Sequence, residues 1–113
     1  MPIRHIVMWN YREGGTDEQN HRNARKMKEG LEALVETVPG IIRLEVIIDA
    51  CSTSNRDVVL NSLFVSEKAL AEYQVHPEHV IISNYIGTIM RNRTCIDYYE
   101  EGLSDGLPRQ EQR

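Results

Sequence analysis

The sequence predicts an α+β fold of the ferredoxin-like type, in which one four-stranded antiparallel sheet carries helices on one face. Some segments alternate apolar and polar residues, as strands do, and others repeat apolar residues at helical spacing. The two kinds follow one another in the order βαββαβ, which is typical of this fold. We expect a single domain over residues 1–99 and a polar, disordered tail over residues 100–113.

The boundaries of the elements are predicted from hydrophobic periodicity and from residues that start helices. Thr16 and Gln19 form a capping box, Ser66 is an N-cap, and Pro77 suits the first position of a helix. The predicted elements are a strand at 3–11, a helix from Thr16 to about Val38, strands at 41–49 and 57–65, helices from Glu67 to about Tyr73 and from Pro77 to about Met90, and a strand at 93–99.

Both faces of the predicted sheet are partly apolar. The residues assigned to its helix-facing side are Ile3, His5, Val7, Trp9 and Tyr11 in the first strand and Ile42, Leu44, Val46 and Ile48 in the second. The apolar residues assigned to the opposite face include Ile6, Met8, Ile41 and Ile47. Burial of such a face stabilises by roughly 25 cal/mol per Å². We therefore predict a homodimer whose two sheets close into an α+β barrel.

Composition and charge exclude several classes of protein. The net charge is −4 and no block of Lys or Arg occurs, which argues against nucleic-acid binding. No apolar run is long enough to span a bilayer, and the first residues lack the pattern of a signal peptide. Cys51 and Cys95 lie far apart without a partner motif, so we interpret them as reduced thiols in a cytoplasmic protein.

The stretch Tyr73-Gln74-Val75-His76-Pro77-Glu78-His79-Val80 brings together the residue types that transfer protons near neutral pH. Pro77 prevents one continuous helix, so Tyr73 ends one helix and His79 lies in the first turn of the next. We hypothesise that this bend directs Tyr73 and His79 into one cavity. His76, just before Pro77, is interpreted as the cap of the second helix.

Three segments resemble the Dabb family of stress-responsive dimeric α/β-barrel proteins. They are Ile-Arg-His-Ile-Val-Met-Trp, Val-Pro-Gly-Ile-Ile-Arg-Leu-Glu-Val and Ala-Leu-Ala-Glu-Tyr-Gln-Val-His-Pro-Glu-His-Val, and the likeness covers residues 3–99. Most members of that family have no established activity. One relative, olivetolic acid cyclase, closes a linear polyketide by aldol condensation. The resemblance to it implies a catalytic His79, an assisting Tyr73 and a His5 that lines the cavity.

The chemistry of these side chains fits such a role. A neutral imidazole removes a proton next to a carbonyl, and a phenol donates to the developing oxyanion. A helix N-terminus disfavours an imidazolium and so helps to keep His79 neutral. His5 shares the helix-facing side of its strand and is expected in the same pocket. The other predicted pocket-lining residues are Val7, Trp9, Leu60, Phe64, Ile82 and Ile86.

Three interpretations of function stay open at this point. The first is a Dabb protein of uncertain activity that holds a small apolar or carbonyl-bearing ligand, with Tyr73 and His79 serving only the fold around the bend. The second is a cyclase or isomerase that uses His79 as general base with Tyr73. The third is a cofactor-free monooxygenase of the same barrel type.

We expect neither a cofactor nor a metal ion. The residues considered as metal ligands are His5, His76, His79 and Glu78. Metal sites as a rule need three or more protein ligands. Glu78 lies on a different side of its helix from His79, so this set does not converge.

Overall fold

The helices and strands follow the predicted order in the computed structural model, which describes residues 1–101. In chain order they are β1 (Ile3–Tyr11), α1 (Asp17–Glu32), a 3-10 helix (Ala33–Glu36), β2 (Ile41–Ile47), β3 (Val58–Phe64), α2 (Glu67–Val75), α3 (Pro77–Ile89) and β4 (Met90–Tyr99). The strands form one antiparallel sheet with the order β2-β3-β1-β4. This is the predicted ferredoxin-like arrangement.

Strand β1 lies in the middle of the sheet and orients the rest of the molecule. Its odd-numbered residues Ile3, His5, Val7 and Trp9 are buried beneath the helices, as their alternation predicts. Ile3, Val7 and Trp9 join one hydrophobic core with residues of α1, β3 and α2. Because β1 pairs with β3 on one side and β4 on the other, any site on its helix-facing side has two neighbouring strands to supply further groups.

Helix α1 begins as predicted and ends earlier than predicted. Both bonds of the capping box between Thr16 and Gln19 are present. The helix ends at Glu32 instead of continuing to Val38, and the chain tightens into the 3-10 helix, a common way for an α-helix to end. The Glu32 carboxylate accepts the Val46 backbone N–H at 3.0 Å, which ties the end of α1 to β2.

Strand β2 corrects part of the predicted face assignment. Ile41 pairs with Phe64 and Arg43 pairs with Leu63, so Ile42 is the extra residue of a β-bulge. Ile41 consequently packs against the core, while the Ile42 side chain is 45% exposed. The two residues exchange the faces expected from strict alternation.

The remaining boundaries differ from the predictions by a few residues. The second strand ends at Ile47, α2 continues to Val75, and β4 begins at Met90 because Met90 still pairs with Tyr11. The backbone N–H of Glu100 donates to the Pro2 carbonyl at 3.0 Å. Residues 102–113 of the predicted tail lie outside the described residues.

Within residues 1–101, no helix covers the opposite face of the sheet. Ile6 pairs with Ile96, and Ile47 and Tyr98 share the same face, where Ile96 is 56% exposed. Among residues 1–101, none of the helices has the length and apolarity that crossing a membrane requires.

Candidate functional site

A sharp bend between α2 and α3 organises the site. His76 is the C-cap of α2 and the N-cap of α3, and its extended backbone (φ −64°, ψ 134°) is what a following proline favours. Pro77 is the first residue of α3, where its missing N–H costs nothing. The His76 imidazole Nδ1 accepts the Glu78 backbone N–H at 3.1 Å, so the predicted capping role of His76 is confirmed.

The bend brings the Tyr73 and His79 rings together. Their centroids are 4.2 Å apart, with an angle of 41° between the ring planes. Nδ1 of His79 lies 3.2 Å from the Gln74 carbonyl oxygen. A carbonyl only accepts hydrogen bonds, so Nδ1 carries the proton of the neutral ring and Nε2 keeps a free lone pair. This is the tautomer that a general base at Nε2 requires.

The surroundings of His79 favour its neutral form. The side chain is half-buried, and this burial lowers the pKa of His79 below its ordinary value of 6.5. The bond to the Gln74 carbonyl acts in the opposite direction but is the smaller influence. Positive charge on Arg93 lowers the pKa further. At neutral pH the ring is therefore an uncharged acceptor.

Tyr73 is almost completely buried, and its hydroxyl has no hydrogen-bond partner among residues 1–101. Its side chain is 1% exposed and packs on Phe64 at a centroid distance of 4.8 Å. Its hydroxyl is buried, and no group within residues 1–101 lies within hydrogen-bonding reach of it. Burial raises the pKa of Tyr73 far above its usual range, so the phenol stays protonated and able to donate. A buried hydroxyl without a partner costs about 1–3 kcal/mol.

His5 completes the group from the sheet side. It is buried, and its ring centroid lies 6.4 Å from that of Tyr73. Asp97 is directly opposite His5 in the pairing of β1 with β4, and its Oδ1 lies 2.5 Å from His5 Nδ1. An ionised carboxylate only accepts, so Nδ1 carries the proton here as well. Asp97 thus fixes the orientation of the His5 ring.

A cavity of about 260 Å³ lies between the helices and the sheet. The predicted residues that line it are His5, Tyr73, His79, Val7, Trp9, Leu60 and Ile86. Phe64 and Ile82 do not line it. Phe64 lies behind the rings of His5 and Tyr73, and the Ile82 side chain is turned against Gly30 of α1. The cavity has room for about nine water molecules at ~30 Å³ each.

Several lining residues were not identified from the sequence. They are Arg12, Leu31, Gln74, Ser83, Gly87, Met90 and Arg93. Leu31 of α1 and Met90 of β4 are ordinary core residues that happen to border the cavity. Ser83 is one turn beyond His79 on α3, and this i, i+4 spacing was a signal that could have revealed it.

The side chains with metal-ligand chemistry that lie close together are not the set considered from the sequence. Within residues 1–101, His5, Cys95 and Asp97 offer ligand atoms that lie within 4.8 Å of one another. The His5 nitrogen and the Asp97 oxygen, however, are joined directly at 2.5 Å, whereas two ligands of a tetrahedral zinc ion lie about 3.3 Å apart. Burial, and then the Asp97 charge, raise the pKa of the Cys95 thiol. As arranged, these groups hydrogen-bond to one another and orient His5.

Fold and site together define the class. The chain has the βαββαβ order, an open sheet face and a cavity at the bend between its last two helices. This combination defines the subunit of an α+β barrel. The chain belongs to the Dabb family, described as the stress responsive A/B barrel domain, whose profile matches residues 3–100. We found no match among proteins with curated descriptions.

Solved structures agree with this assignment. A dimeric protein of unknown function and ferredoxin-like fold from Bacteroides fragilis has 26% identity and a TM-score of 0.82, and the match covers 88% of this chain and 96% of that one. A Dabb family protein from Mesorhizobium loti has 19% identity and a TM-score of 0.68 over 89% and 98% of the two chains. Hydroxynitrile lyase from Passiflora edulis has the same fold, with 13% identity and a TM-score of 0.73 over 89% and 95%.

Proposed function

We propose that this Dabb protein binds a small apolar ligand with a carbonyl group in the cavity beside Tyr73 and His79. The observation that carries the proposal is the buried Tyr73 hydroxyl, a donor without a partner among residues 1–101, on a residue that lines the cavity. A ligand carbonyl would accept that hydrogen bond and remove the cost of leaving it unmade. Val7, Trp9 and Leu60 supply the apolar wall that holds the rest of the ligand.

Two ligands that differ only in the carbonyl test this proposal. Butyrophenone carries the carbonyl, and butylbenzene has a methylene in its place. Trp9 is the only tryptophan of the chain and lines the cavity, so its fluorescence reports occupancy. We expect butyrophenone to bind about fivefold more tightly, the typical value of one net hydrogen bond. Equal affinity for both compounds would contradict recognition of a carbonyl group by this cavity.

A second candidate function is proton transfer at the carbon next to the bound carbonyl. The specific observation is the His79 tautomer, in which Nδ1 carries the proton and Nε2 can act as the base. The protonated phenol of Tyr73 lies beside it, with 4.2 Å between the centroids of the two rings. His79 would take the α-proton, and Tyr73 would donate to the enolate oxygen. The monooxygenase alternative gains no comparable support from the part of the chain that the structure describes.

Hydrogen exchange tests the enzymatic candidate without knowledge of the natural substrate. In D₂O, the protein would accelerate exchange of the α-protons of butyrophenone, which NMR follows directly. We expect His79→Ala to slow this exchange while Ser83→Ala, on the same cavity wall, leaves it nearly unchanged. Equal rates with wild type and His79→Ala would remove the enzyme hypothesis and leave ligand binding in place.

We also infer that the protein is a homodimer that pairs the open faces of two sheets. Support comes from the exposed Ile47, Ile96 and Tyr98 on that face. Related structures from Bacteroides fragilis, Thermobifida fusca and Jannaschia are described as dimeric. Light scattering is expected to give twice the chain mass at micromolar concentration. Ile96→Lys should halve the measured mass. The control Ile81→Lys, at a residue of α3 that is 67% exposed, should leave the mass unchanged. A monomeric wild type would contradict the inference.

The two cysteines support a cytoplasmic location. Cys51 and Cys95 are both free and exposed, and free thiols persist in reducing compartments. Alkylation of both thiols in freshly lysed cells, without added reductant, is the expected result. Thiols already blocked or oxidised would speak against this location.

A further inference from the structure

Two arginines give the cavity a positive wall. Arg12 and Arg93 both line it, and no Asp or Glu of residues 1–101 does. Neither arginine takes part in any of the ion pairs found among those residues. The Arg12 guanidinium donates to the Gly87 carbonyl through Nε at 3.3 Å and Nη2 at 2.8 Å, so its position is fixed and further N–H donors remain. In a chain of net charge −4, this is a local concentration of positive charge.

A β-bulge lies next to Arg93 in β4. Met8 pairs with Thr94 and Asn10 pairs with Arg91, so β4 contains one more residue than β1 between these pairs. The extra residue is Asn92, with a left-handed φ of 56°, a conformation that Asn tolerates better than most residues.

The bulge changes which side chains share a face. Met90 and Arg93 are three positions apart, and strict alternation would place them on opposite faces of the sheet. With the bulge, both line the cavity. Arg91, between them, lies opposite Asn10 and forms a long ion pair with Glu13 at 3.9 Å instead. The bulge therefore turns Arg91 away from the face that Arg93 shares with Cys95, and one of the two nearby arginines lines the cavity.

The charge of Arg93 acts on the two reactive rings. Burial is the main influence on the pKa of both Tyr73 and His79. The Arg93 charge comes second for Tyr73 and lowers its pKa; for His79 it also lowers the pKa, after the larger influences of the Gln74 carbonyl and His5. Arg93 and Tyr73 line the same cavity, so one small molecule can contact the guanidinium and the phenol together. Guanidinium groups hold carboxylates through paired, charge-assisted hydrogen bonds.

We propose that the ligand of this cavity is an oxo-carboxylate, whose carbonyl bonds to Tyr73 and whose carboxylate binds Arg93, with Arg12 as the second cation. This inference rests on the proposed carbonyl-binding function and adds the acid group to it. The apolar lining sets the remainder of the ligand as a short aryl or alkyl segment. No bond is formed or broken in this binding step.

Four related compounds and two variants test the proposal. 4-Oxo-4-phenylbutanoate is butyrophenone with its terminal methyl replaced by a carboxylate; 4-phenylbutanoate has the carboxylate and no carbonyl, and butylbenzene has neither. Binding of each to the full-length protein is measured through Trp9 fluorescence. The variant is Arg93→Gln, and Arg91→Gln is the matched control with the same change of charge two residues away.

We expect wild type to bind 4-oxo-4-phenylbutanoate about tenfold more tightly than butyrophenone, because hydrogen bonds to charged groups are the stronger ones. Arg93→Gln should abolish that advantage, read as the ratio of the two affinities in the same protein, while Arg91→Gln should leave the ratio unchanged. The advantage should also fall with added salt.

The outcomes separate the two proposals. If butyrophenone binds better than butylbenzene but the acid adds nothing, the oxo-carboxylate inference is overturned and carbonyl binding stands. If the acid advantage survives in Arg93→Gln, the assignment to Arg93 is overturned. If none of the four compounds binds, the proposed function and this inference both fall.

Discussion

The Tyr73 and His79 rings lie 4.2 Å apart across the bend between α2 and α3, and the Tyr73 hydroxyl has no partner among residues 1–101. One residue of this pair is a proton donor and the other, through its fixed tautomer, an acceptor. If the pair served only the fold, the Tyr73 hydroxyl would be expected to bond to the backbone, because nearly all buried polar groups have a hydrogen-bond partner. An unpaired donor at a cavity wall is instead typical of a binding site.

Removal of the Tyr73 hydroxyl should stabilise the ligand-free protein. Tyr73→Phe keeps the packing against Phe64 and removes a buried group that bonds to nothing, so we expect the free energy of unfolding to rise by about 1 kcal/mol. Urea unfolding measures this change. Tyr85→Phe is the control, since the Tyr85 hydroxyl has a long bond of 3.5 Å to Asn23, and it should not stabilise. A less stable Tyr73→Phe would mean that the hydroxyl supports the fold.

Acid should destabilise the protein through His79. Its pKa is lowered by burial in the folded state and returns to about 6.5 on unfolding. As the pH falls below about 6.5, the unfolded chain takes up a proton that the folded chain refuses, so stability is lost; the loss stops growing below the folded-state pKa. His79→Asn keeps a donor near Gln74 and cannot titrate, so it should lose less stability between about pH 7.5 and about pH 5. Identical losses in both proteins would show that His79 is not the group responsible.

His76 and His79 should be separable by mutation. His76→Ala removes the side-chain cap on the Glu78 N–H and should cost about 1 kcal/mol of stability, which His76→Asn should restore because Asn is among the best N-caps. Butyrophenone binding should be unchanged in His76→Asn. Loss of binding in that variant, with stability restored, would assign His76 to the binding site instead.

The bend could be predicted because local chemistry determines it. Pro77 cannot continue a helix, and His76 is forced into an extended conformation before it, so the placement of Tyr73 and His79 follows from a few adjacent residues. The β1 face and the capping box are equally local, and the structure confirms both. The barrel was predicted from the apolar residues on both faces of the sheet, and the family match over residues 3–100 supports it.

The bulges could not be predicted, because pairing between strands determines them. Ile42 and Asn92 each interrupt the alternation of a strand. Nothing in the sequence around Ile42 distinguishes it from a regular strand residue, and Asn92 lies just before the predicted strand at 93–99. Arg93 lies two residues before Cys95, which pairs with Val7 on the helix-facing side, so the alternation of the predicted strand at 93–99 was a signal that could have revealed Arg93 at the cavity. Phe64 and Ile82 were assigned to the right side of the molecule, but packing against neighbouring rings and Gly30 turns them away from the cavity.

The most direct test is the affinity of butyrophenone relative to butylbenzene in three proteins: wild type, Tyr73→Phe and Tyr85→Phe. Both ligands fill the apolar cavity alike, so their difference isolates the hydrogen bond from the Tyr73 hydroxyl. We predict a preference for the ketone of about fivefold in wild type and Tyr85→Phe, and none in Tyr73→Phe. A preference that persists in Tyr73→Phe would contradict the assignment of the carbonyl to this hydroxyl.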